Sequence, residues 1–457
     1  MFTEQQNQVT LKRALGFWQS FGVAVGLVVA ATTMVSLTNY FGNVGPAFMI
    51  PAAVAGVAVI FIVMSYAELA TAIPGAGMIA DYTMPAMGRT MSIFGVLTGY
   101  IVLISAGGAC ESIISGMCAQ YVWGIPIKPF AFCMLLLFLI INFLGVEFLG
   151  KSQIILTVGM MAVLFILGLG GLLQLGTVSE QIPVEFNPYG WSTVASAMLG
   201  GIWLYIGIEY VCPMTEEIIK PEKNIPRAMI LGVIAIFVCD MLFGMAVVKY
   251  IPLQDIATSD IPQLIGAEKM YGTAGVMLLA IATIFAGASS ADSHMAAVPR
   301  MLYGLARDGM LPRFIAYLHP KFRTPWIAIL IAFACLSTPL FVNVDISVIM
   351  SYVSIACVAW LVSYIMVQVD LIIIRKKYPK LHRPFKSPMY PLPQIIGIAT
   401  CVYTIVTSGS AAMTGAGYFM IAFMIYSILW VKFKMKKKCF EPVTFDEMPH
   451  IIVKFDE

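Results

Sequence analysis

Two carboxylates interrupt apolar stretches in which a charge is costly. Glu209 lies within Gly200-Gly-Ile-Trp-Leu-Tyr-Ile-Gly-Ile-Glu-Tyr-Val-Cys-Pro213, and Glu111 lies within Ser105-Ala-Gly-Gly-Ala-Cys-Glu-Ser-Ile-Ile-Ser115. A lone carboxylate in a low dielectric either takes up a proton or finds a cation, so each acid is a proton-binding group or the partner of a positively charged ligand. The alternative for Glu111 is a protonated side chain bonded to a neighbouring helix. A third stretch, Gly287-Ala-Ser-Ser-Ala-Asp-Ser-His294, is dense in polar groups and holds one of only four histidines. Ser290, Ala291 and His294 share a helical face, whereas Asp292 is turned about 200° from His294. One of these two should line a site and the other should pack against a neighbour. The hydroxyls of Ser289 and Ser290 could coordinate a sodium ion, or serve as interhelical glue.

The helices that carry these groups must be shaped to present them. Trp203 and Gly207 are four residues apart on one face, and Pro213 removes a backbone donor just beyond Glu209, so the helix should loosen between Gly207 and Pro213. Loosened backbone at membrane depth survives only where protein buries it or where it lines a wet cavity. A Pro-kinked packing helix whose Glu satisfies a neighbour is the plainer reading. Around Glu111, positions 104, 108, 111, 115 and 118 form a stripe of mostly small or polar residues that should face protein rather than lipid. Gly108 belongs to that stripe.

With 60% hydrophobic and 11% charged residues in 457, the chain is not a soluble globular protein, in which roughly a quarter of residues are charged. Apolar segments of about 20 residues, enough to cross a bilayer, fall near 17–42, 44–73, 93–122, 128–147, 152–175, 191–218, 227–251, 270–306, 325–342, 345–374, 391–410 and 412–433. Twelve spans put both ends on one side. With that side cytoplasmic, only Lys128, Lys249 and Lys269 of 27 basic residues fall outside, as the positive-inside rule requires. No small-residue cleavage site precedes the first apolar run, so no removable signal is expected. The expected organisation is a cytoplasmic segment 1–16, a single transporter domain 17–433 and a cytoplasmic tail 434–457. Nine scattered cysteines without CxxC spacing argue against a disulfide framework or a zinc site.

Four motifs resemble a family. Ser65-Tyr-Ala-Glu-Leu-Ala70 leading to Ile73-Pro-Gly-Ala-Gly77, the run from Gly207-Ile-Glu209 through Glu216-Glu217 to Asn224-Ile-Pro226, Arg300-Met-Leu-Tyr-Gly-Leu-Ala-Arg-Asp-Gly-Met-Leu-Pro312, and Arg383-Pro-Phe-Lys-Ser-Pro-Met-Tyr-Pro391 are similar to amino acid permeases of the amino acid–polyamine–organocation superfamily. The resemblance implies an all-α membrane fold of two inverted five-helix repeats, spans 1–5 (about 17–175) and 6–10 (about 191–374). Spans 1 and 6 are broken beside a central site, and two accessory spans occupy about 391–433. In the arginine–agmatine antiporter branch, Trp203 matches the aromatic that closes over substrate and Glu209 matches a gate-region acid. By ungapped counting, His294 falls on a second stacking aromatic and Glu111 on a substrate-contacting position.

The chain also departs from that pattern. Where the first span usually carries a Gly-x-Gly segment that holds the substrate carboxylate, it reads Ala30-Ala31-Thr32-Thr33. Where many members have a span-5 lysine in place of sodium, it has Met160.

These readings lead to a secondary active transporter, not an enzyme, that moves an amino acid or related small amine across the cytoplasmic membrane by alternating access. A positively charged amine or cationic amino acid is favoured. The alternative is a neutral amino acid permease or exchanger with Glu111 as proton carrier. An intramembrane hydrolase using Ser290 and His294 is the remote third reading, because a same-helix pair is poorly aimed for attack. The expected partners are a small-molecule substrate and the lipid bilayer, without nucleic acid, in a monomer or homodimer. No cofactor is expected beyond a coupling ion, sodium or proton, with Ser289, Ser290, Glu111 and Glu209 as candidates and a sodium ion at Ser289 and Ser290.

Overall fold

The computed structural model describes residues 13–341, 346–448 and 451–456, so the expectation for residues 1–12 lies outside the described part. Among the described residues the chain is helical, and strand pairing is limited to two isolated bridges, Leu15 with Ile218 and Leu381 with Phe455. The first half contains α1 (Phe17–Val28), α2 (Ala31–Val44), α3 (Met49–Ala72), α4 (Ile79–Met87), α5 (Arg89–Val96), α6 (Val102–Ser105), α7 (Cys110–Trp123), α8 (Ile127–Leu144) and α9 (Val146–Leu172). The second contains α10 (Trp191–Ser196), α11 (Met198–Trp203), α12 (Pro221–Val247), α13 (Leu253–Thr258), α14 (Pro262–Arg307), α15 (Trp326–Leu336), α16 (Ile346–Lys377), α17 (Leu392–Thr407) and α18 (Ser410–Leu429).

Among the described residues, eight helices are long and apolar enough to cross a membrane, or nine when α1 and α2 count as one span bent by 54°. The remaining three of the twelve expected segments are not continuous helices of spanning length. Segment 191–218 is broken, α15 has 11 residues before a 3-10 turn at Thr338–Phe341, and α17 has 16 residues. At 1.5 Å per residue, α17 is about 24 Å long against a hydrocarbon core of about 30 Å.

Three breaks shape the centre. The break between α1 and α2 at Val29-Ala30 contains neither Gly nor Pro, and side chains supply the lost helical bonds. Thr33 Oγ1 donates to the Val28 carbonyl at 2.7 Å, and the Thr32 amide donates to Glu111 at 3.1 Å. In span 6, helix gives way after Trp203, and Gly207 takes φ +102 ahead of a 3-10 segment at Ile208–Glu217 that contains Pro213. A Cβ on Gly207 would stand 2.2 Å from Leu27 Cδ2, so the two breaks abut and only glycine fits there. The third break was not evident from sequence: α6 ends at Ser105, and Ala106, at φ −116 and ψ −85, begins a turn ahead of α7. The stripe at 104, 108, 111, 115 and 118 is buried, as its composition required.

Below the breaks, the face that carries both described ends of the chain is sealed. The amides of Ala14 and Leu15 donate to the Glu217 carbonyl at 2.9 and 3.0 Å, and Ile219 returns a bond to Leu15. The Glu217 carboxylate accepts a two-pronged pair from Arg300 of α14 at 2.9 and 3.0 Å, and Glu216 accepts from the Ala76 amide at 3.1 Å. Nearby, Glu68 at the end of α3 gathers Arg375, Arg383 and the Ser387 amide. The four sequence motifs thus meet largely in this seal.

Arg300 is 7% exposed and Glu217 3% exposed, so removing one partner strands a buried charge at a penalty of about 3–5 kcal/mol. Arg300→Ala should therefore lower the melting temperature of the purified protein, and adding Glu217→Gln should recover part of the loss. A single variant that melts like the parent contradicts this account of the seal.

Candidate functional site

A small cavity lies where the three breaks meet. Eight of the residues singled out from sequence line it: Ala30, Thr32, Thr33, Gly108, Glu111, Trp203, Ser290 and His294. Apolar Leu27, Val28, Leu103 and Ile206 and the ring of Trp360 complete the lining. Four expected residues, Ala31, Gly207, Glu209 and Ser289, do not line it.

Glu111 is the one acid or base in the lining besides His294. It sits in the first turn of α7, is 2% exposed, and accepts from both the amide and the hydroxyl of Thr32, with the Ala31 amide beside it. These amides are among the unpaired donors at the start of α2, where the helix dipole also favours an anion. The carboxylate of span 3 therefore caps the second half of span 1. Span 3 can bring it there because its own helix is interrupted at Gly107 and Gly108. A Cβ on Gly107 would lie 3.2 Å from the Trp203 ring, and one on Gly108 would lie 2.4 Å from His294 Nε2.

His294 is held from behind by Tyr210, whose hydroxyl lies 3.2 Å from its Nδ1. Among the described residues Ser290 makes no hydrogen bond to His294, whose Nδ1 is engaged by Tyr210. Asp292 points the other way, as the helical rotation required, and accepts from Asn142 at 2.7 Å and Ser152 at 2.6 Å.

Glu209 lies outside the cavity and is fully buried. It accepts from Trp360 Nε1 at 2.7 Å, Tyr364 at 2.7 Å and Tyr100 at 3.2 Å. The 3-10 segment that follows Gly207 turns the acid behind the Trp360 ring, so its reach to a ligand is through the tilt of that ring. Sequence reading missed Trp360, Tyr364 and Tyr210 because aromatics in apolar runs look like core filling.

Ser289 and Ser290 do not converge on one position. Ser290 lines the cavity, whereas Ser289 Oγ donates to Gln153 Oε1 at 2.8 Å and lies 3.3 Å from Thr157 Oγ1. Gln153 Nε2 in turn donates to the Ser289 carbonyl at 2.9 Å. Thr157 Oγ1 also donates to the Gly22 carbonyl at 3.1 Å, so the set ties spans 1, 5 and 8 together. The span-5 side chains that meet Ser289 are Gln153 and Thr157, whereas Met160 is buried in the apolar core. Polar residues at i and i+4 in an otherwise apolar span were the sequence signal for that pair. Outside the cavity, Asp240 of α12 is 1% exposed with Oδ2 unpartnered among the described residues, another acid the sequence reading passed over.

Residues 15–436 match the family described as amino acid permease. The chain is 26% identical to the b(0,+)-type amino acid transporter 1 of Rattus norvegicus, over 95% of this chain and 92% of that protein. It is 23% identical to the branched-chain amino acid permease BcaP of Bacillus subtilis, over 88% of this chain and 89% of that one. It is also 24% identical to the cystine/glutamate transporter of Homo sapiens, over 90% and 84% respectively. These are transporters rather than enzymes. With a match that takes in all three breaks and the cavity between them, the chain belongs to the amino acid permease family and is a multi-pass membrane transporter of small molecules.

Proposed function

We propose that this permease carries a small organic cation, an amine or cationic amino acid, with Glu111 as its counter-ion, and that the substrate needs no carboxylate. The observation that carries this reading is the bonding of Glu111 to Thr32. The amides at the start of α2, which would otherwise be free to hold a ligand's carboxylate, already hold one that belongs to the protein. A second carboxylate there would meet like charge, whereas an ammonium would meet an anion between the Trp203 and Trp360 rings, whose faces also attract cations. Among the described residues, no lysine or arginine lines the cavity to offer an alternative anion site. The relatives are named for substrates that range from branched-chain amino acids to cystine and glutamate, so family membership alone leaves the substrate's charge open.

A second reading is favoured by the same contact. A Glu111 that takes up a proton and leaves Thr32 would free the amide for the carboxylate of a neutral amino acid, which makes Glu111 a proton carrier.

We place the protein in the cytoplasmic membrane with both ends cytoplasmic, because the basic stretches Arg300 to Arg323, Arg375 to Lys386 and Lys432 to Lys438 accompany the sealed face. Transport runs by alternating access, driven by exchange or a proton gradient. The hydrogen-bonded set around Gln153 argues against sodium at Ser289.

Three measurements test this reading. Glu111→Gln should weaken binding of the best cationic ligand in a thermal-shift panel by more than a hundredfold, from the loss of a buried charge pair of about 3–5 kcal/mol. Normal binding would reassign Glu111 to packing. Trp203→Ala should weaken binding about tenfold, and Trp203→Phe less, since a desolvated cation–π contact contributes up to about 2 kcal/mol. Equal affinity in the alanine variant removes Trp203 from the site. Uptake into liposomes should be the same in sodium and potassium buffers, and a requirement for sodium would overturn the coupling assignment.

A further inference from the structure

The chain beyond the last apolar helix returns to the sealed face and lies across it. Its anchors alternate with exposed residues: Val443 is 1% exposed, Phe445 8%, Met448 1% and Ile451 5%. The tail is tied to three separate places on the helical body. At the turn between α4 and α5, the Val443 amide donates to Met84 O at 3.0 Å and Glu447 pairs with Arg89 at 3.0 Å. Gly88 there takes φ +89, and a Cβ on it would lie 2.5 Å from the Glu441 carbonyl, so the tail backbone rests directly on glycine. Past the end of α16, Phe445 packs on Tyr378 with ring centroids 4.9 Å apart, the His382 amide donates to Lys454 O at 2.8 Å, and the Asp456 amide donates to Lys380 O at 2.8 Å. At the loop after α3, Ile451 Cδ1 lies 3.4 Å from the position a Cβ on Gly75 would take.

That last contact leads into the seal. Gly75 is followed by Ala76, whose amide bonds Glu216, and by Gly77, whose Cα would lie 2.6 Å from a Cβ on Gly304 of α14. Opening the cavity toward this face requires Glu216 and Glu217 to part from Ala76, Leu15 and Arg300. The tail meets Gly75, next to the first of these partners, while it ties the start of span 3 to the end of span 10.

We propose that the described tail residues 441–448 and 451–456 form a strap that restrains the carrier from opening toward the face bearing its ends, so that the tail is a built-in brake on transport. The apolar anchors carry the restraint. The pairs Arg89–Glu447 and His382–Asp456 involve side chains about half exposed on the tail, and such surface pairs set register more than strength.

The test uses the purified carrier with and without residues 441–457 and needs no knowledge of the substrate. Hydrogen exchange read by mass spectrometry should be several-fold faster in peptides covering 73–81 and 208–219 of the shortened protein. Cys212, fully buried in the 3-10 segment, should react several-fold faster with N-ethylmaleimide, while buried Cys118, away from the seal, keeps its rate. Should the truncation fold poorly, Ile451→Asp and Phe445→Ala in the full chain should give the same directional changes. Equal exchange and equal Cys212 reactivity in a folded truncation would overturn the strap. So would acceleration at Cys118 and Cys212 alike, which would show general loosening.

Discussion

The contact between Glu111 and the start of α2 joins two elements that the rest of the molecule is arranged to bring together. Helix α2 begins in the middle of the protein with unpaired amides, and a buried helix end without partners is unfavourable. Glu111 is a buried carboxylate, which is unfavourable without donors. Each resolves the other's difficulty, and the result is a buried carboxyl group beside a small cavity. The interruption of span 3, the close approach of Gly207 to Leu27, and the Thr33 bond to the Val28 carbonyl all follow as conditions for that contact.

Around this centre the polar groups divide by task. Glu209 fixes the Trp360 ring from behind, Tyr210 fixes the His294 ring, and Gln153 fastens span 5 to Ser289 of span 8. None of these groups needs to touch a ligand to shape the cavity that receives it. The sealed face is a separate layer, built on Glu217 with Arg300 and on Glu68 with Arg375 and Arg383.

Much of this was legible in the residues. Gly207 and Pro213 announced the break in span 6, the stripe through Glu111 announced a buried face, and the rotation between Asp292 and His294 announced their opposite directions. Other features were not, for identifiable physical reasons. The break in span 1 was expected from the family resemblance alone, since it has no helix breaker and is held by the side chains of Thr33 and Glu111, the latter 79 residues from its partner Thr32. Glu209 could not be placed behind Trp360, since that depends on a change from α to 3-10 pitch. The family's span-5 lysine position was put at Met160, which lies in the apolar core, whereas the span-5 side chains that meet Ser289 are Gln153 and Thr157. Expected spans at 325–342 and 391–410 were counted on hydropathy, which does not register where a helix stops.

The central claim is that the protein's own carboxylate takes the place of the substrate's. The most direct measurement is calorimetric titration of the purified carrier with pairs of ligands that differ only by a carboxyl group, such as arginine and agmatine, ornithine and putrescine, or serine and ethanolamine. In the best-binding pair, the member without the carboxylate should bind more tightly. Tighter binding of the amino acid in that pair would contradict the account and leave Glu111 as a proton carrier.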